Sequence, residues 1–143
     1  MMNLLSFFYD KYLHIASAEE NPIKVYEAAD YVGWYLSTKG SWQKAYKYYE
    51  LVYKLRPDSA RAVSNYCNAL FNVHRYDEAI AYCNEAIELD SDHPWSYYIL
   101  SKTYERKGSP IPISRCLSTK RYESKVLSLP FIFIASFRLE NSG

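Results

Sequence analysis

Apolar residues along this chain recur with a long period. Two stretches, 26–59 and 60–93, align at a spacing of 34 residues, and a third starts at Pro94. In the first, Val32-Gly33, Leu36, Gly40, Trp42, Ala45, Tyr49, Val52 and Pro57 mark the pattern. In the second, the same places hold Tyr66-Cys67, Leu70, His74, Tyr76, Ala79, Cys83, Ala86 and Ser91. The third continues it with Leu100-Ser101, Tyr104 and Gly108. Tyr46–Lys54 and Ala79–Glu88 are apolar at helical spacing on one face, so each unit predicts two antiparallel helices. Small residues at Gly33, Cys67, Ser101, Ala45, Ala79 and Ala86 let neighbouring helices approach, and Leu36, Leu70, Tyr49 and Tyr104 fill the gaps between them. Gly40 and Gly108 fall where a tight turn needs a permissive backbone. Asp58 and Asp92 stand at expected N-cap positions, and Pro94 near a first helical turn.

This set of residues at this period resembles the tetratricopeptide repeat family over Tyr26 to Gly108, roughly the middle 60% of the chain. The segment endings "KLRPDS" and "IELDSD" look like that family's. Pentatricopeptide repeats, which read RNA, usually run one residue longer and end differently. The resemblance implies an all-α fold, a right-handed α-solenoid of antiparallel helix pairs with about two and a half units. The expected organisation is an N-terminal helix or cap over 1–25 and repeats over 26–108 (26–59, 60–93 and a partial 94–108). A divergent tail, partly disordered, follows over 109–143. Leu4, Phe8, Tyr12 and Ile15 recur at helical spacing and predict a lone helix covering the first repeat, because solenoid ends expose apolar faces. Stability needs about three repeats, so this array sits near the lower limit. After Gly108 the pattern stops: Pro110 falls where Trp42 and Tyr76 stood, and Pro112 follows. The Ser-rich, then Phe/Ile-rich, remainder reads as a truncated or misframed gene product or as a divergent capping helix.

The resemblance further implies that ligands lie in a concave groove lined by the first helix of each unit. The outward positions there are Glu27, Asp30, Tyr31 and Trp34 in the first unit, and Arg61, Asn65, Asn68 and Asn72 in the second. In the third they are Trp95, Tyr98, Lys102 and Arg106. Asn65, Asn68 and Asn72 sit at i, i+3 and i+7 and form one polar stripe. An amide both donates and accepts, so it matches the backbone of an extended peptide whatever its side chains. The alternative is a plain solvated face. Tyr31, Trp34 and Tyr98 are aromatic where a surface is normally polar, which suits binding anchors or packing against the next helix. Lys102 and Arg106, one turn apart, suit an acidic group on a ligand or an ordinary solvated face. One subclass of the family grips the C-terminal carboxylate of heat-shock chaperones with Lys and Asn at set groove positions. Here Asp30 and Trp34 occupy the places of the first Lys and Asn, and only Asn65 matches, so no such clamp is expected.

Composition narrows the function classes. The 143 residues suit one domain, and 49% are hydrophobic, enough to bury a core. A net charge of +1 argues against nucleic acid or a polybasic membrane contact. The longest apolar-rich stretch, Val126–Phe137, is 12 residues and too short for a membrane-spanning helix. Sixteen Tyr are unusual, and core filling accounts for most of them. Three Cys are too few for a disulfide framework or zinc site. Cys67 and Cys83 are expected as buried structural thiols, and the odd count with no secretion signal predicts a reducing, cytoplasmic location. His14, His74 and His93 lie far apart, with Asp10 and Glu78 one turn from the first two and no further ligand nearby. Ser41-Trp42-Gln43-Lys44 matches Ser-x-x-Lys by chance, Ser41 being a cap candidate. The chain is therefore expected to need no cofactor or metal and not to be an enzyme. The expected role is a scaffold or adaptor that holds a peptide segment of a partner protein. Two alternatives stay open. The chain is the N-terminal recognition part of a larger enzyme such as a glycosyltransferase or methyltransferase, or a structural subunit that stacks on other helical repeats.

Overall fold

The computed structural model describes residues 4–18 and 20–109. Among them the backbone forms six α-helices and no strand: α1 Leu4–Ala18, α2 Pro22–Thr38, α3 Trp42–Leu55, α4 Ala60–Asn72, α5 Tyr76–Leu89 and α6 Pro94–Lys107. Each helix packs chiefly on its neighbours in the chain, and α4 also meets α6. Ties between alternate helices define two layers. Asp30 of α2 bonds Arg61 and Asn65 of α4. On the other side, the Tyr48 hydroxyl of α3 donates to Asp10 of α1, and Tyr53 of α3 to Glu85 of α5. So α2, α4 and α6 form one layer and α1, α3 and α5 the other, which is the α-solenoid that the period predicts.

The helix starts lie where cap chemistry puts them. Asn21 accepts from the Lys24 amide at 3.2 Å and Pro22 takes the first helical position. The first unit therefore begins one turn ahead of the boundary expected at Tyr26. Ser59 caps α4, with its hydroxyl accepting from the Ala62 amide at 3.4 Å, and His93 occupies the N-cap of α6. The expected caps Asp58 and Asp92 stand one residue too early, and Asp58 instead pairs with Arg56. Ser41 does hold the N-cap position of α3, without a side-chain cap bond. The turns inside the units are one structure used three times. Gly40, His74 and Gly108 all lie near φ +65 to +70°. Ser41, Arg75 and Ser109 each donate their amide back five residues, to the carbonyls of Leu36, Leu70 and Tyr104. Gly removes the Cβ penalty of this conformation in two of the units. In the other, His74 occupies it and its Nδ1 lies 2.8 Å from the Tyr76 hydroxyl.

Between the layers the core is built from small residues. Ala28, Ala29, Ala45, Ala62, Ala69, Ala79 and Ala86 are all fully buried, with Val52, Val63 and Leu70 filling the remaining space. Across each unit, one pair of positions must divide a fixed volume. In the first unit Gly33 has no side chain and Tyr49 fills the space: a Cβ on Gly33 would stand 3.1 Å from the Tyr49 ring. In the second the same two places hold Cys67 and Cys83. Both are fully buried, as expected, but they form a disulfide rather than two thiols, with Cα atoms 5.4 Å apart. That separation lies inside the roughly 4.4–6.8 Å that a disulfide spans. The count of three Cys gave no sign of it, because the pairing arises from the helix pair bringing two core positions face to face. The odd count accordingly no longer argues for a reducing compartment.

Tyrosines confirm their core role around α4. Tyr53 stacks on Tyr66 at 5.4 Å, Tyr82 meets Tyr66 edge-on at 4.7 Å, and Tyr46 lies 5.8 Å from it. Burial, together with Tyr46, pushes the Tyr66 phenol far above its usual range, so it stays a neutral hydroxyl.

The N-terminal helix meets one expectation only in part. Leu4 and Ile15 do not cover the first repeat and are exposed, together with Phe7, while the part-exposed Phe8 and Tyr12 edge a hollow against Glu27, Ala28 and Tyr31 of α2. The neighbouring face of α1 does the covering: Tyr9 stacks on Tyr31 at 3.7 Å, Leu13 packs against the cluster of Ala29, Val52 and Ala62, and Asp10 takes the Tyr48 hydroxyl. A stacking ring and a half-buried hydrogen bond orient α1 more firmly than apolar spacing alone. The expected tail over 110–143 lies outside the described residues.

Two outcomes follow from this packing. Gly33→Leu, favoured by helix propensity yet overfilling the contact with Tyr49, should destabilise by about 3 kcal/mol in urea denaturation. Adding Tyr49→Ala should recover at least about 1 kcal/mol relative to the sum of the single changes, and strict additivity would refute the shared volume. Reduction of the Cys67–Cys83 bridge, which closes a 16-residue separation, should lower stability by up to about 3 kcal/mol. Cys67→Ala/Cys83→Ala should abolish the response to reductant.

Candidate binding groove

The residues expected in the groove all lie outside the buried core of the α2, α4 and α6 layer. The core takes Ala28, Ala29, Val32 and Gly33 of α2, so Glu27, Asp30, Tyr31 and Trp34 fall outside it. From α4 it takes seven residues between Ala62 and Leu70, which leaves Arg61, Asn65, Asn68 and Asn72. From α6 it takes Ser96, Tyr97, Ile99, Leu100 and Thr103, which leaves Trp95, Tyr98, Lys102 and Arg106. These twelve side chains line two adjoining hollows. The first, about 740 Å³, is walled by Glu27, Asp30, Tyr31, Trp34, Arg61 and Asn65. The second, about 730 Å³, is walled by Trp34, Asn65, Asn68, Asn72, Trp95, Tyr98, Lys102 and Arg106. Trp34, Tyr49 and Asn65 belong to both.

Within the groove the side chains are partly engaged with one another. The Asp30 carboxylate receives the Arg61 guanidinium and, at 3.3 Å, the Asn65 amide. The Asn72 amide donates to the Asn68 carbonyl at 2.8 Å and to its side-chain oxygen at 3.0 Å. Asn65 is thus held by Asp30, and Asn72 by Asn68, before any ligand arrives. Lys102 pairs with Glu105 at 3.3 Å. Among the aromatics, Tyr31 has taken the packing role, stacked under Tyr9 of α1. Trp34 remains 54% exposed, and Trp95 and Tyr98 stack at 5.2 Å across the second hollow.

Seven lining residues escaped the sequence reading: Tyr26, Ser37, Thr38, Trp42, Tyr49, Phe71 and Ile99. Tyr49 is the instructive one, because it belongs to α3 in the opposite layer. It reaches the groove through the gap above Gly33, where a Cβ would crowd its ring at 3.1 Å. The signal was present in the repeat itself, as a glycine paired with a tyrosine where the next unit pairs two cysteines.

The remaining chemistry-bearing residues are occupied in structural contacts. Asp10 accepts from Tyr48 rather than serving His14. Glu78 holds Arg75 through two bonds of 2.6 and 2.7 Å, away from His74. Among the described residues no three His, Cys, Asp or Glu gather as a metal site, and no helix is long and apolar enough to cross a membrane. His93, at the N-cap of α6, lies 2.9 Å from the Ser96 hydroxyl. Burial holds its imidazole below the ordinary 6.5, against a smaller opposing pull from Asp90.

Residues 38–102 match the family model described as tetratricopeptide repeat. The chain is similar to the TPR2B domain of yeast Sti1, solved as a complex with pHsp70, at 31% identity over 71% of each chain with a TM-score of 0.53. It is also similar to the TPR2AB domain of yeast Sti1, solved as a complex with pHSP90. There the identity is 33% and the TM-score 0.55, over 82% of this chain and 41% of that longer one. MamA MSR-1 C2 shares the fold at 20% identity with a TM-score of 0.60, over 96% of this chain and 67% of that one. No curated protein matches the chain.

Because the folded state resists protonating His93, the unfolded state binds more protons once the pH falls below about 6.5. The His93 contribution is complete above that value and is lost progressively as the pH falls through the depressed folded pKa. Denaturation midpoints measured between pH 7.5 and pH 5 should therefore fall with pH. His93→Asn, a neutral cap, should flatten the slope; an unchanged slope would remove His93 as its source.

Proposed function

We propose that this chain, which belongs to the tetratricopeptide repeat family, is a non-catalytic interaction module that holds an extended segment of a partner protein across α2, α4 and α6. One observation carries the reading. The twelve groove-side positions of these three helices line two adjoining hollows that share Trp34, Tyr49 and Asn65, with the exposed Trp34 indole where they meet. Buried aromatics and orienting amides are the usual anchors of such contacts. The Sti1 domains, solved as complexes with pHsp70 and pHSP90, support a peptide-holding role for a groove of this fold.

The partner differs in chemistry from a chaperone tail. A terminal carboxylate entering the first hollow meets the carboxylate of Asp30, whose charge is already engaged by Arg61 and Asn65. Like charges at close range cost affinity rather than supply it.

A second reading, stacking on other helical repeats, is favoured by the exposed Leu4, Phe7, Phe8 and Ile15 of α1. Such stacking would use the end of the solenoid and leave the groove unoccupied. The two readings separate in one affinity capture. Trp34→Ala/Asn65→Ala/Asn68→Ala should lower partner binding at least tenfold under the groove reading and leave it intact under the stacking reading. Titration calorimetry with a peptide ending in Glu-Glu-Val-Asp should show no carboxylate-dependent binding.

A further inference from the structure

The groove is electrically lopsided. Its α2 end carries Glu27 and Asp30 against the single cation Arg61, a net negative hollow. Its α6 end carries Lys102 and Arg106, with Glu105 beside Lys102, a net positive one. The middle, from Trp34 along the asparagines to Trp95 and Tyr98, has no formal charge. Ion pairs near a low-dielectric wall of aromatic rings are screened less than pairs in open water, so this separation acts on whatever lies in the groove.

We propose that the groove selects a dipolar ligand: an extended peptide with a basic side chain over Glu27 and Asp30, an acidic side chain over Lys102 and Arg106, and apolar residues between. This rests on the groove reading above and adds to it the chemistry of the segment held. Geometry sets the spacing. From α2 to α6 is two helix-to-helix steps of about 10 Å each. At about 3.3 Å per extended residue, that places the two ligand charges about six residues apart. The uncharged interval between them lies over Trp34 and the Trp95–Tyr98 stack, so its residues are apolar or aromatic. A uniformly acidic peptide is repelled at the α2 end and a uniformly basic one at the α6 end, which gives specificity by exclusion as well as attraction.

A phage-displayed library of random dodecapeptides, selected on the intact chain, tests this. The selected peptides should carry Lys or Arg and Asp or Glu about six residues apart, with apolar residues between. Their affinity should fall about fivefold on Glu27→Lys and on Arg106→Glu, both exposed positions, and should weaken as salt rises. Selection on Glu27→Lys should instead yield peptides acidic at both ends. Selected peptides without this charge pattern, still lost on Trp34→Ala, would overturn the dipolar inference and leave the groove reading standing. Peptides that bind Trp34→Ala unchanged, or a library that enriches nothing, would overturn both.

Discussion

Close helix approach is the constraint on which the rest depends. Helices can meet in two layers with so few large core residues only where small side chains stand at the contacts, and the fully buried alanines do this in both complete units. The same economy governs the pair of positions that face each other inside each unit. Glycine opposite tyrosine in one and cysteine opposite cysteine in the next divide a similar space in different ways. The first division opens a passage through which Tyr49 enters the groove; the second closes the helix pair covalently. A packing requirement at one pair of positions thus yields a groove wall in one unit and a cross-link in the other.

The groove is therefore a by-product of the core with a defined shape. Once the period assigns each helix its buried face, the opposite face of α2, α4 and α6 has nowhere to point but the concave side. That is why all twelve expected groove residues lie along the two hollows. Their internal bonds matter as much as their positions. Asn65 bonded to Asp30, and Asn72 bonded to Asn68, have less rotamer freedom left to lose on binding, which lowers the entropic cost of ordering a contact.

How much of this was legible depends on whether a feature is periodic. Helix number, order and core faces were, because they follow from residues that recur at a fixed interval. Turns were legible through Gly40 and Gly108, while His74 took the same backbone conformation without the expected residue. Caps were misplaced by one residue at Asp58 and Asp92, since several polar residues cluster before each helix and only geometry selects among them. The face of α1 was read only in part: Phe8 and Tyr12 lie against α2 but Leu4 and Ile15 do not, because an apolar stripe says nothing about which ring will stack. Tyr9 on Tyr31 decided it, and that contact joins residues 22 apart in sequence with no period to announce them. The disulfide and the Tyr49 side of the groove were missed because each is a meeting of two positions, written in the repeat only as a pair of equivalent places, Gly33 with Tyr49 and Cys67 with Cys83.

The carboxylate of Asp30 has one further consequence. It is the side-chain tie between the first and second units on the groove side, receiving both Arg61 and Asn65 from the adjacent helix. A cation brought by a guest competes with Arg61 for the same two oxygens. Holding a guest and tying the first unit to the second therefore draw on the same carboxylate.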